Sequence, residues 1–254
     1  MEDLSNTVLA IMLVTLRLAP SITFAPPFTL LRVPITVRVF LSISLSIWLV
    51  AARPEQMTAV SETDRFAMLL FGELLVGVSL ALGLQLTFAA IVWAGRALDI
   101  QAGFGLAMLA DPTTNARIPL AGTILAYGAG MIFFAIGGHY DLIALWASSF
   151  DALPIGYDLF APDIGAIAAI MSTLFLLAVG LVGISMLSIF LTDLVIAFLS
   201  RTLPQMNVLL LGFQVKAMVM LVTLPICLTF ALGIYLRILR IAVTEPANFW
   251  QVIP

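Results

Sequence analysis

The chain has 254 residues, 62% of them hydrophobic and 10% charged, with a net charge of −3 and a mean hydropathy of +1.16. That composition is far from a soluble domain's and points to an integral membrane protein. The basic side chains, ten arginines and Lys216, form no block, which removes the electrostatic footprint of a nucleic-acid binder.

The amino terminus, Met1-Glu2-Asp3, lacks the basic region of a signal peptide, so the first hydrophobic run is expected to be retained. Six apolar segments follow in chain order: 7–31, 33–52, 66–93, 118–136, 164–199 and 208–236. Each can supply the roughly 20 residues that a bilayer core requires. The expected fold class is therefore an all-α membrane protein of about six hydrophobic helical segments, several of them broken or hairpin-like.

Few of the segments are clean spans. The first carries Arg17, Pro20 and Pro26-Pro27; the third Glu73 and Gln85; the fifth Asp193; the sixth Lys216 and Pro225. Proline deletes a helical hydrogen bond, and a charge near mid-bilayer costs roughly 2.5–3.5 kcal/mol on insertion scales. These helices are expected to be broken or sheltered by other protein. The pairs Ser79 and Gly83, Ala126 and Gly130, and the cluster Gly180, Gly183 and Ser185 have spacing suited to close helix packing.

Charge asymmetry gives a partial topology. The connection from Asp141 to Asp163 holds four acids and no base, whereas Arg32, Arg38, Arg96, Arg117 and Arg201 mark the alternate connections. Arg237 and Arg240, directly after the last segment, break the alternation. Hairpins that do not all cross lipid are the expected remedy.

The stretch 94–119, AGRALDIQAGFGLAMLADPTTNARIP, reads as a loop with an apolar, glycine-rich centre. A loop this apolar is ill suited to water, and an irregular backbone cannot face lipid without unsatisfied N–H and C=O groups. Burial in protein or the lining of a cavity remains. Gly103 and Gly105 permit unusual backbone angles, Phe104, Leu106, Met108 and Leu109 supply soft apolar bulk, and Asp111-Pro112 stops a continuing helix.

The chain contains no GxSxG elbow, HExxH, Walker loop or paired cysteine ligands, and one histidine, His139, cannot build a His-rich metal site. No catalytic residue, metal or cofactor is expected, and the protein reads as a non-enzyme. His139, after two glycines, reads as an anchor at a hairpin tip. Cys227, the single cysteine, excludes an internal disulfide and reads as a small buried hydrophobe. Glu73 has two readings: a proton or cation site of a coupled transporter, or a structural partner for an arginine, the second favoured because few charges are embedded. Arg201, Gln205 and Asn207 read as fixing a hairpin turn or capping it.

Particular residues then suggest a family. Arg17-Leu18-Ala19-Pro20, Val33-Pro34 and Arg38, Ala94-Gly95 leading to Gln101-Ala102-Gly103, Asp111-Pro112, Gly138-His139, Leu153-Pro154-Ile155-Gly156, Arg201-Thr202-Leu203-Pro204-Gln205-Met206-Asn207 and Gly212-Phe213 occur in an order and spacing that resemble the FliR/SctT family. These are the R subunits of flagellar and virulence type III export gates. Gln214 departs from the proline many relatives carry after the Gly-Phe pair, and the tail after Arg240 is short.

The resemblance implies an inner-membrane subunit of the flagellar basal body, wound with P-type and Q-type subunits (FliP, FliQ) into a helical spiral around a pore for unfolded proteins. FlhB and FlhA are implied as further partners. It implies P-like hairpins over 1–200, with a pore plug at 103–119, and a Q-like hairpin region over 201–254. Arg17, Glu73, Asp99, Gln101, His139, Arg201, Gln205, Asn207 and Lys216 become candidate buried-polar or assembly residues.

Overall fold

The structure, a computed structural model, describes residues 2–53, 66–104, 119–155, 161–202 and 208–251. Among them, the elements in chain order are α1 (Glu2–Phe24), α2 (Ile35–Ala52), α3 (Phe66–Gln101), α4 (Leu120–Ala135), α5 (Gly138–Ala152), β1 (Ala161–Pro162), α6 (Ile164–Thr202), α7 (Val208–Phe230), α8 (Leu232–Thr244), a 3-10 turn (Glu245–Phe249) and β2 (Trp250–Gln251). The two short strands pair antiparallel, Ala161 with Gln251. The protein is an all-α membrane protein apart from that pairing.

Among the described residues, five helices, α1, α2, α3, α6 and α7, are long and apolar enough to cross a bilayer; a sixth crossing needs α4 and α5 together, bent by 74° at the break between them. Large apolar side chains point outward along these helices, among them Phe40, Leu176 and Phe198, each at least 70% exposed. Apolar surface on this scale belongs against lipid or other protein.

Several expectations are corrected. The third segment does not end at Trp93: α3 runs on to Gln101, so residues 94–101 of the supposed loop are helix. Their polar members mark the end of a long helix. The acidic connection after Asp141 contains α5, whose buried stripe Leu142, Leu145, Trp146, Ser149 and Phe150 recurs at helical spacing. The last segment stops at Phe230, not Leu236, and the chain restarts as α8. Arg237 and Arg240 lie on the exposed face of α8, opposite Tyr235, Ile238, Leu239 and Ala242. They therefore do not directly follow a span. Pro20 and Pro225 sit inside helices that continue past them.

The chain divides into two compact units, one of Met1–Thr87, Phe133–Met171 and Leu239–Pro254, the other of Phe88–Ile132 and Ser172–Ile238. In the first, α1 packs on α2 and buries Leu13, Val14, Leu18 and Ile22. The end of α1 is shaped by its prolines. The carbonyl of Thr23 would ordinarily accept from residue 27, but Pro27 has no N–H. Arg38 of α2 donates to that carbonyl instead, and Gln85 Nε2 donates to the next one, Phe24 O, at 2.8 Å. Pro26-Pro27 is cis, and the turn closes through Leu30 N to Pro27 O at 3.1 Å.

Close approach of α3 to α1 depends on Gly77. A Cβ there would lie 2.5 Å from Arg17 O and 2.8 Å from Leu16 O, backbone atoms that cannot step aside. Leu16 O is also the carbonyl that Pro20 leaves without its helical donor. At Gly72, by contrast, nothing lies within 4 Å. Gly83 is likewise tight, with a Cβ only 2.3 Å from Pro246 Cγ, while Gly183 faces open space; small-residue spacing therefore marks packing at Gly83 and not at Gly183.

Gly77→Val is expected to destabilise the detergent-purified protein by about 3 kcal/mol or more, read as a drop in thermal unfolding midpoint. Gly72→Val should leave the midpoint within about two degrees of wild type. Equal effects at the two positions would show that the α1–α3 approach is not what Gly77 provides.

Candidate functional site

Two clusters of polar and small residues, one in each unit, hold most of the candidate residues that the structure describes. The first centres on Arg17, which is 1% exposed. Its Nε donates to Glu73 Oε2 at 2.6 Å and its Nη2 to Glu73 Oε1 at 2.9 Å, a two-pronged pair between α1 and α3. Nη1 donates to Ser149 O at 3.1 Å and Leu153 O at 2.9 Å. The guanidinium lies over the Phe150 ring, 4.1 Å from its centroid.

Each contact has a local cause. Glu73 and Gly77 are one helical turn apart on α3, so the glycine that admits α1 also brings the carboxylate to Arg17. Ser149 and Leu153 present carbonyls at the C-terminal end of α5, where the helix dipole favours a cation; Ser149 O accepts from both Leu153 N and Arg17. Planar geometry lets one arginine serve the carboxylate, the helix end and the aromatic face together. The cluster thus ties α1, α3 and α5.

The second cluster lies where α3 ends and α4 begins. A Cβ on Gly95 would be 2.3 Å from Gly122 Cα, and one on Gly122 would be 2.8 Å from Val92 O, so the two backbones touch. Asp99, 3% exposed, accepts from Ala121 N at 3.1 Å with Oδ1 and 3.2 Å with Oδ2. Pro119, just before α4, has no side-chain oxygen to cap that helix, and Asp99 does so from α3. Gln101 Nε2 donates to Met186 O at 3.1 Å. Gly103 has a φ of +91°, with the Phe213 ring 2.9 Å from where its Cβ would be. Phe104 meets the same ring edge-on, centroids 5.9 Å apart.

The remaining candidates scatter. His139 opens α5 and stacks on Tyr140 with centroids 4.1 Å apart. Arg201 is exposed in the last turn of α6. Lys216 of α7 pairs with Asp193 of α6. Cys227 is buried and shares a hydrogen bond with Ser185 at 3.1 Å. Gly105, Leu106, Met108, Leu109, Asp111 and Pro112, with Gln205 and Asn207, lie outside the described residues. Among the described residues, no three His, Cys, Asp or Glu side chains come together as metal ligands. Residue type alone does not single out Ser149, Phe150, Gly122 or Phe213; Gly95 and Phe213 do stand in the quoted motifs.

Comparison with known proteins places this arrangement. Residues 8–241 match the profile of "Bacterial export proteins, family 1". The chain belongs to that family. Among curated relatives, it is 25% identical to the flagellar biosynthetic protein FliR of Bacillus subtilis over 250 residues, covering 96% of this chain and 95% of that protein. It is 28% identical to FliR of Escherichia coli over 78% of this chain and 76% of that one. The secretion system apparatus protein SsaT of Salmonella typhimurium is 26% identical over 78% of this chain and 77% of its own length. The family's members are named as export and secretion components, and not as enzymes.

Arg17→Met should cost about 3–5 kcal/mol by leaving Glu73 buried without its partner, seen as loss of membrane-accumulated protein. The double variant Arg17→Met/Glu73→Met should recover a large part of that level. No recovery in the double variant would overturn the pairing as the source of the loss.

Asp99→Ala should weaken the start of α4 by about 1 kcal/mol. Hydrogen exchange at the Ala121 amide is then expected to accelerate roughly fivefold, while α8 amides keep their wild-type rates. An unchanged Ala121 rate would rule out the capping role.

Proposed function

We propose that the protein is the R-type subunit of a flagellar type III export gate, embedded in the bacterial inner membrane and forming part of the conduit for unfolded flagellar proteins. The observation that carries this reading is the extent of the match to FliR of Bacillus subtilis, 96% of one chain and 95% of the other. P-type and Q-type subunits, FliP and FliQ, are the proposed direct neighbours in a helical spiral, with FlhB and FlhA as further components. Residues 1–200 correspond to P-like hairpins and 201–254 to a Q-like region.

In this reading, 103–119 is a plug that limits leakage through the pore until a substrate displaces it. Supporting it are the apolar, glycine-rich sequence and the neck, where Gly95 meets Gly122 and Asp99 caps α4. A neck held this way fixes where the segment leaves α3 and where α4 begins. The protein supplies a passage, and driving energy comes from other components.

A solute transporter centred on Glu73 is not favoured. Both carboxylate oxygens accept from Arg17, and the side chain is 5% exposed, so the charge is paired and enclosed within the chain.

Deleting Gly105 to Ala110 should make cells that assemble the complex leaky to ions and small solutes, measured as solute-induced swelling or dye entry. Wild-type permeability in a variant shown to co-purify normally with P-type and Q-type subunits would count decisively against a seal. Transport of a solute by the purified protein alone in liposomes would argue against the gate itself.

A further inference from the structure

The end of α3 is held from two sides within its own unit. Gln101, the last residue of the helix, donates from Nε2 to Met186 O of α6 at 3.1 Å. Two residues on, Gly103 turns the chain with a φ of +91°, a backbone region that residues with a side chain rarely adopt. The Phe213 ring of α7 stands in the space such a side chain would need: a Cβ on Gly103 would lie 2.9 Å from Cδ2 and 3.5 Å from Cε2. Phe104 then meets the same ring edge-on, with the two planes at 76°.

These contacts are not part of the packing of α3 itself. The helix has already closed, through Ala102 N to Leu98 O at 2.8 Å and Gly103 N to Ile100 O at 3.0 Å. What Phe213 touches are the two residues that set the direction in which the chain departs. Edge-on aromatic pairs prefer particular orientations, so the ring can hold a direction as well as a distance. Its own position is anchored. Lys216, three residues further along α7 and so a neighbour of Phe213 on the helix surface, pairs with Asp193 of α6. The helix that receives Gln101 therefore also holds the helix that carries the ring.

We infer that Phe213 is a positioning residue of the gate: its ring fixes the direction in which the chain leaves α3 and so seats the seal proposed for 103–119. The inference rests on that reading of the stretch. Phe104 and Phe213 are both half-buried and lie outside the enclosed core. Losing the ring therefore removes little of the fold, yet it frees the backbone at Gly103, where glycine has no strong preference of its own. The same contact explains the residue at 103, since the φ and the ring both exclude a Cβ.

The test uses the full-length tagged chain expressed in cells with the other apparatus subunits, and reads dye entry per amount of complex recovered. Phe213→Ala should raise entry roughly fivefold over wild type, in keeping with the loss of one aromatic contact, while recovery of P-type and Q-type subunits stays normal. Phe104→Ala should leak to the same degree, and the double variant no more than either single change, because one contact is lost in all three. Phe213→Tyr should stay tight: the ring meets Gly103 through Cδ2 and Cε2, away from an added para hydroxyl. Leu224→Ala, at a buried position further along α7, controls for general loosening of that helix and should leave the assembled complex tight. Should Phe213→Ala fail to assemble, Phe213→Leu, which keeps apolar bulk, should show the leak. Wild-type permeability of assembled Phe213→Ala or Phe213→Leu complexes, beside a leaky deletion of Gly105 to Ala110, would overturn the inference and leave the seal standing. So would additive leaks from the two single changes, or a leak of the same size from Phe213→Tyr or Leu224→Ala. A deletion that does not leak would sink the seal and the inference together.

Discussion

A guanidinium enclosed among apolar helices persists only if its hydrogen bonds are made within the protein, and the position of Arg17 imposes that condition on three elements at once. Its carboxylate partner must come from α3, its carbonyl partners from the end of α5, and its ring partner from Phe150. Gly77 admits α3 to the required distance. Pro20 frees a carbonyl where the approach occurs. The ionic contact specifies which helices meet and in what register more than it adds net stability, since desolvation offsets much of the attraction.

The second unit uses a different device. At the junction of α3 and α4 the contact is between backbones, made possible by Gly95 and Gly122, and a buried carboxylate supplies the cap that Pro119 lacks. Small residues and hydrogen bonds drive association between helices where lipid is as apolar as the side chains. Phe213 closes the arrangement by resting against Gly103 and Phe104.

Much of this was legible in the residues, and the remainder has physical reasons for being hidden. Charges within apolar runs are conspicuous, so Arg17, Glu73, Asp193 and Lys216 stand out on cost alone. Their partners do not, because the acceptors at Ser149 and Leu153 are backbone atoms that carry no side-chain signature. Residues 94–101 read as loop because Arg96, Asp99 and Gln101 are polar, yet α3 holds them on its last turns, where a buried acid is useful as a remote cap. Pro20 and Pro225 suggest breaks that do not occur, whereas the break at Ala231 has neither proline nor glycine at the turn itself. Local propensity yields there to packing: α8 follows its own stripe of Tyr235, Ile238, Leu239 and Ala242. The full-length family match, by contrast, follows from motif order, which needs no knowledge of contacts.

The clasp between Gly95 and Gly122 has an evolutionary consequence. Because the two helices meet before the chain departs at Ala102 and after it returns at Pro119, the entropy of closing the excursion is borne by a junction that does not depend on the excursion's own residues. Doubling the length of such a loop costs only about 0.6 kcal/mol. Selection can therefore lengthen, shorten or rewrite the stretch between Ala102 and Pro119 without having to re-invent the helices that carry it.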